Sequence, residues 1–248
     1  MAKAKKIKIF FIAFCAFLIS IIIAFYAWSL FYYKASQDAL SGLKSDELVN
    51  VFVDKTITFS PVTLSAPNGF IFYPGGKVDE KAYSYIGQGI AEKGFYVFII
   101  QMPLRLAVFN PSAANTVIKE NPEIKNWVVG GHSLGGSMAA SFAFNNPEAI
   151  RGLVLLASYP AGSDDLSKSG IGVISITGTN DGVLNKESFK TSVKLLPGNT
   201  TMVSIPGGNH SQFGDYGFQS GDNKAEISIE QQHKIVVDSI LQLLNDLQ

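Results

Sequence analysis

Residues 128–140, VVGGHSLGGSMAA, constrain the fold more than any other stretch of the chain. An apolar run ends at Gly131-His132-Ser133-Leu134-Gly135 and passes into the small-residue run GSMAASFAF, which reads as strand, tight turn, helix. A serine on such a turn is crowded by the residues two before and two after it, so side chains at 131 and 135 would collide. Glycine relieves that contact and tolerates the backbone. The turn also aims Ser133 at a helix N-terminus, where free N–H groups and the helix dipole favour a developing negative charge. Taken alone, the same spacing fits a purely structural turn, and the rest of the chain has to decide.

Strand and helix signals alternate on both sides of this turn. Short β-rich runs at 48–53 and 56–64 read as paired strands, and GFIFY at 69–73 as a more buried one. The pattern then predicts helix 79–93, strand 95–100, helix 112–120, strand 126–130, helix 134–145, strands 152–157 and 172–177, helix 186–195, strand 201–205 and helix 225–247. Asn110 followed by Pro111 predicts the N-cap and first residue of the second of these helices. On the last helix, Val236, Ile240, Leu243, Leu244 and Leu247 share one face. Such alternation makes a mostly parallel sheet covered by helices on both faces, the α/β class. Residues 47–248 are enough for one domain with a full core, and no internal repeat divides them.

A mean hydropathy of +0.20 with 47% hydrophobic residues is high for a soluble enzyme of this size. The excess is concentrated in residues 9–33, IFFIAFCAFLISIIIAFYAWSLFYY, a run without charge. It is long enough to span a bilayer as a tilted helix. A cleavable signal has an apolar region of roughly 7–15 residues and a small-residue cleavage site, and neither is found here. Lys3, Lys5, Lys6 and Lys8 precede the run, only Lys34 follows closely, and Tyr26, Trp28, Tyr32 and Tyr33 crowd its far end. These features predict an anchor in the cell membrane with residues 1–8 in the cytoplasm and the rest of the chain outside it. Residues 34–46 read as a polar stalk leading to the domain at 47–248. The one cysteine, Cys15, lies in the apolar run, so the exported part forms no disulfide of its own. Five of the 20 basic side chains and none of the 20 acidic ones fall before residue 35. The remainder is therefore acidic, without the basic surface that nucleic acid requires.

A serine hydroxyl is a poor nucleophile until a base takes its proton, and the base is most often histidine. Of the three histidines, His132 belongs to the turn itself with its ring directed away from the base position. His233 sits beside Gln231, Gln232 and Lys234 and reads as a solvated residue of the last helix. His210, in PGGNHSQFGDYG directly after the last strand, is the expected base. The acid that orients it belongs between serine and histidine in chain order. Asp181 in TGTNDGVL fits, 29 residues before His210, with Asp164 and Asp165 as alternatives after the preceding strand. An oxyanion hole needs two backbone donors: the N–H of Leu134, and one from the loop Pro74-Gly75-Gly76-Lys77, where Gly76 is favoured over Lys77.

Residues 158–171 are too few to insert a helical cap between the strands that flank them, so the site should be open. Its expected walls are the loop 101–111 with Leu104, Leu106, Val108 and Phe109, together with Tyr159, Phe213 and Tyr216. Arg105, Phe109, Tyr159 and Phe213 are the candidate substrate contacts, Arg105 toward a carboxylate. Asp215, Asp222 and Glu226 do not match a calcium-loop spacing and read as solvated charges, so neither metal nor cofactor is expected.

In chain order, FYPGGKVDEKAY, QMPLRLAVF, GGHSLGG, LVLLASYPAG, GTNDGV and GGNHSQFGDYGFQSGDNKA resemble the α/β-hydrolase superfamily. The likeness is closer to its small dienelactone-hydrolase-like members, α/β-hydrolase family five, and covers about residues 47–248. It implies the α/β-hydrolase fold without a cap domain, and a Ser133–His210–Asp181 triad. Members cleave esters, lipids, thioesters or peptides. The expected activity is therefore cleavage of an ester or related acyl bond of a small or lipid-like substrate through an acyl-enzyme. Dienelactone hydrolases proper carry cysteine where this chain has Ser133, so their substrate is not implied. Two alternatives remain at this point: acyl transfer to an acceptor other than water, and a membrane-tethered binding or scaffold protein that keeps the fold without catalysis.

Overall fold

The computed structural model of the chain describes residues 2–63 and 68–247. Met1, residues 64–67 and Gln248 lie outside these, and with them the outer ends of the expected segments 1–8, 56–64 and 47–248. The chain divides into two units, Met1–Tyr32 and Tyr33–Gln248.

The first unit is built on helix α1 (Ala2–Ser29). From Lys5 to Ser29 it is long and apolar enough to cross a membrane. Its large apolar side chains are exposed around the helix, Phe10 at 73% and Ile22 at 66%. It stops at Ser29, short of the expected end at residue 33.

The second unit opens with helix α2 (Gln37–Ser41), followed by strands β1 (Val49–Val53), β2 (Thr56–Pro61) and β3 (Asn68–Tyr73). Then come helix α3 (Ser84–Ala91), strand β4 (Tyr96–Ile100), helix α4 (Ala114–Glu120), strand β5 (Asn126–His132) and helix α5 (Leu134–Asn145). Strands β6 (Ile150–Leu156) and β7 (Gly172–Gly178), helix α6 (Lys186–Ser192), strand β8 (Thr201–Ile205) and helix α7 (Ile229–Asp246) complete it.

The strands form one sheet in the order β1-β2-β4-β3-β5-β6-β7-β8. Only β2 runs against its neighbours, and every other pairing is parallel. All six residues of β3 are buried, as both-sided covering demands. One face packs Ile86 and Ile90 of α3 with Val236, Ile240 and Leu244 of α7, and the other packs Val117 of α4 with Ala139, Ala140 and Phe142 of α5. Because β3 feeds α3 on one face and its neighbour β5 feeds α5 on the other, the loops after β3 and β5 diverge. A crevice opens where they part, at the carboxyl ends of the strands.

Three local expectations are corrected. Residues 34–46 are no stalk. Tyr33 makes a parallel bridge with Val78, the Ser36 N–H donates to the Asp215 carbonyl at 2.9 Å, and Ser84 Oγ donates to the carbonyl of buried Ala39 at 2.7 Å. The polar side chains that suggested a stalk include Gln37, Asp38 and Ser41, on the exposed side of α2. Second, Asn110 does not cap the helix at 112–120. The Tyr73 hydroxyl does, donating to the Pro111 carbonyl at 2.9 Å and accepting the Ala114 N–H at 3.0 Å. Third, the last helix starts at Ile229 and not at 225, because Ser228 and Gln231 close a reciprocal capping box there.

Candidate active site

Ser133 follows β5 directly and precedes α5, with φ 52° and ψ −124°. A non-glycine residue in such a region costs about 1–3 kcal/mol and persists where its surroundings over-determine it. Here the Ser133 N–H donates to the Leu156 carbonyl at 2.9 Å, and the Ser133 carbonyl accepts Ser158 Oγ at 2.7 Å. The flanking glycines are required by close approach. A Cβ on Gly131 would stand 2.5 Å from the Tyr73 carbonyl oxygen, and one on Gly135 would overlap the carbonyls of both Tyr73 and Pro74.

His210 lies just past β8 and Asp181 just past β7, each 1% exposed. His210 Nδ1 is 2.9 Å from Asp181 Oδ2. The other carboxylate oxygen accepts the N–H groups of Val183 at 2.8 Å and Leu184 at 2.7 Å, which fix the carboxylate plane. A carboxylate facing Nδ1 holds the proton there and leaves Nε2 as the basic nitrogen. Nε2 is buried and has no hydrogen-bond partner among the described residues. The pair fits a triad. Of the alternatives, Asp164 accepts Ser163 Oγ at 3.0 Å and Asp165 the Ser167 N–H at 3.0 Å, while the bond to His210 goes to Asp181.

The His132 ring lies beside that of His210, their centroids 4.5 Å apart. Its Nδ1 is 2.9 Å from the Tyr83 hydroxyl, which accepts the Gly75 N–H at 3.0 Å. The hydroxyl thus joins the Gly75 N–H to the His132 ring. Burial, with a smaller contribution from His210, holds the His132 pKa well below the usual histidine value. The neutral ring thereby ties the loop after β3 to the serine turn. Gly76 on that loop lies against Leu134, since a Cβ there would sit 3.1 Å from Leu134 Cδ2. Leu134 is the first residue of α5, where a backbone N–H has no partner inside the helix. Lys77, at φ 59°, donates its N–H to the Arg105 carbonyl at 2.8 Å. Arg105 thus holds this loop through its backbone.

Ser133 and His210 line one cleft of about 270 Å³, shared with Leu134, Ser137, Tyr159 and residues 183–185. Of the four candidate contacts, Tyr159 lines it. Phe109 is 52% exposed, and Phe213 is fully buried with its ring 5.6 Å from that of His132, a core residue with no surface to offer a ligand. Val183, Leu184 and Asn185 line the cleft although sequence reasoning passed over them.

Three further polar residues are withdrawn from open solvent. Gln232, which the sequence analysis did not single out, is fully buried; its Oε1 accepts the Asn209 N–H at 3.0 Å and its Nε2 donates to the Asn209 carbonyl at 2.9 Å, beside His210. Asp222 is not a solvated charge, being 9% exposed and bonded to the loops of both Asp181 and His210. A glutamine in step with buried Val236 and Ile240 was a usable signal for the first. Asp222 had none. His233 is not solvated either, since its ring stacks on Tyr85 at 3.4 Å and burial lowers its pKa to about 4.

An eight-stranded, mostly parallel sheet with a strained serine on a strand-to-helix turn, and a His–Asp pair on the loops after later strands, is the architecture of an α/β hydrolase. The chain belongs to the alpha/beta hydrolase family, whose model matches residues 69–234. Among solved structures, it is similar to the carboxylesterase CesB of Bacillus subtilis, with 11% identity, TM-score 0.58, and 84% of this chain and 95% of that one covered. A dienelactone hydrolase of Anabaena variabilis matches with 14% identity, TM-score 0.57, and 80% and 100% covered. A monoacylglycerol lipase of Paleococcus ferrophilus matches with 14% identity, TM-score 0.58, and 78% and 99% covered. At these identities the likeness is one of fold. No curated protein sequence matches the chain.

Proposed function

We propose that the protein is a membrane-anchored serine hydrolase that cleaves an ester or related acyl bond. The observation that carries this reading is the buried His210–Asp181 pair, its unpartnered Nε2 in one cleft with a serine held at φ 52°. In this mechanism Ser133 Oγ attacks the acyl carbonyl as His210 Nε2 takes its proton, and Asp181 stabilises the imidazolium. The N–H groups of Leu134 and Gly76 receive the oxyanion. Collapse expels the leaving group with the proton from His210, and water, deprotonated by the same nitrogen, releases the acid and restores Ser133. Tyr159 is the substrate contact that the cleft favours, and a cleft of about 270 Å³ suits a modest acyl group.

The test is labelling of the full chain in detergent micelles with a fluorophosphonate probe, wild type against Ser133→Ala and His210→Ala. Labelling of the wild type alone is expected. Equal labelling of Ser133→Ala, or none of folded wild type, overturns the reading and leaves the fold in a binding role. The anchor is tested separately: external protease should digest the domain on intact cells while residues 1–8 stay protected.

A further inference from the structure

Asp181 and His210 stand on different loops, 29 residues apart in the chain, so no covalent restraint sets their registration. At the base of the loops the Asn180 N–H donates to the Gly208 carbonyl, and the Gly207 N–H to Thr179 Oγ1, both at 2.8 Å. Farther out, a third segment joins them: Asn180 Nδ2 donates to the Lys224 carbonyl at 3.3 Å, Asn209 Nδ2 donates to the Asn223 carbonyl at 2.7 Å, and the Asp222 side chain reaches both loops at once. Asp222 Oδ1 accepts the N–H of Gly182, next to Asp181, at 3.0 Å, and that of Asn223 at 2.9 Å, and lies 3.4 Å from the His210 N–H. Oδ2 accepts the N–H of Ser211, next to His210, at 2.7 Å, and the Ser211 hydroxyl at 2.6 Å. Burial opposes the charge, but the bonds from Ser211, Gly182 and Asn223 outweigh it and hold the carboxyl below its usual pKa. Bonds to an ionised acceptor are the stronger kind.

The geometry assigns Asp222 as a positioning residue that staples the Asp181 loop to the His210 loop, keeping Nδ1 on Oδ2 while the imidazole gains and loses its proton. The assignment rests on the proposed triad. Asp222 touches neither substrate nor reacting atoms. It acts by preventing Gly182 and Ser211 from separating, and a displacement of about 1 Å at a catalytic group costs on the order of 10²-fold in rate.

The experiment compares full-length wild type, Asp222→Ala and Asp222→Asn in detergent micelles. It measures kcat and KM on a short p-nitrophenyl ester, thermal unfolding, and the downfield proton NMR signal of His210 Nδ1–H. The asparagine can keep an oxygen toward Gly182 and Asn223 but then turns an amino group on the Ser211 N–H, so it retains half the staple. A folded Asp222→Ala should lose kcat by about 10²-fold with KM within about twofold, and Asp222→Asn should fall between. The Nδ1 proton signal should shift or broaden in both. A kcat within about threefold of wild type in folded Asp222→Ala, or an unmoved proton signal in either variant, overturns the assignment. If Asp222→Ala shows no cooperative unfolding, Asp222→Asn carries the test by the same criteria. A wild type that neither turns over ester nor takes the fluorophosphonate would sink the hydrolase reading instead. The proton signal and its response to Asp222→Asn would still decide whether the staple holds the His210–Asp181 pair.

Discussion

Backbone, not side chain, is what a methyl group at position 135 would strike. The carbonyls of Tyr73 and Pro74 close on Gly135 from β3 and the loop after it, and Tyr73 is held there by its strand pairing with β5. Gly135→Ala is therefore expected to destabilise the protein by more than about 3 kcal/mol, which in a domain of this size lowers Tm by roughly 2–4 °C for each kcal/mol. Thermal unfolding of the full chain in detergent checks this, and an unchanged Tm would mean that the turn does not bring these backbones together. Tyr83 offers a subtler change. Tyr83→Phe leaves the Gly75 N–H and His132 Nδ1 without partners, each buried, at a cost of about 1–3 kcal/mol per orphaned group. On the proposed mechanism the loop bearing Gly76 loosens, so kcat should fall about tenfold while KM stays nearly level, as for a donor used mainly in the transition state. Steady-state kinetics on a p-nitrophenyl ester would separate this from a loss confined to stability.

Elements were legible where several local signals agreed and illegible where a distant residue intervened. At β5 and α5 the apolar run, the spaced glycines and the small residues all point to strand, turn and helix, and α5 occupies the expected residues 134–145. The Asn110-Pro111 signal was sound locally, yet Tyr73, 41 residues from Ala114, supplies the cap instead. Residues 34–46 look like a linker because nothing local shows that Ala39 is buried against Ser84. The same distinction runs through the site. Ser133, His210 and Asp181, the triad proposed above, were reached through turn chemistry and chain order. Asp222 was missed because its bond to Gly182 spans 40 residues. Gln232 shows how an element serves the site: α7 packs Val236 and Ile240 into the core and, one turn earlier on the same face, holds Asn209 at both backbone atoms. Gln232→Leu keeps the volume and the helix but strands both Asn209 groups. The expected result is a folded helix by circular dichroism, a loss of about 2–4 kcal/mol in stability, and a kcat lowered more than KM is raised. Full activity in that variant would show that the His210 loop does not depend on α7.

At the scale of the molecule, burial of histidines sets how stability responds to pH. His132 and His233 are both held neutral, the first well below the usual histidine value and the second at about 4, with desolvation as the leading cause in each. In the unfolded chain both titrate near 6.5. Between about pH 6.5 and 4 the unfolded state therefore binds more protons than the folded one, and stability falls as pH is lowered through that window. Asp222 acts in a different window. Its folded pKa is depressed, so its contribution is present above the unfolded carboxylate value near 4 and is lost only as pH falls below it. The two are thus separable by pH alone. His233→Phe keeps a ring to stack on Tyr85 and removes one titration, leaving His132 in place. From pH 7 to pH 5 the wild type should lose about 2 kcal/mol per buried histidine, and His233→Phe about half of the wild-type total. Denaturant unfolding of the full chain in detergent at pH 7, 6 and 5 reads this directly. Parallel pH dependence in the two proteins would mean that His233 is protonated in the folded state, and that the stack on Tyr85 opens to water in that range.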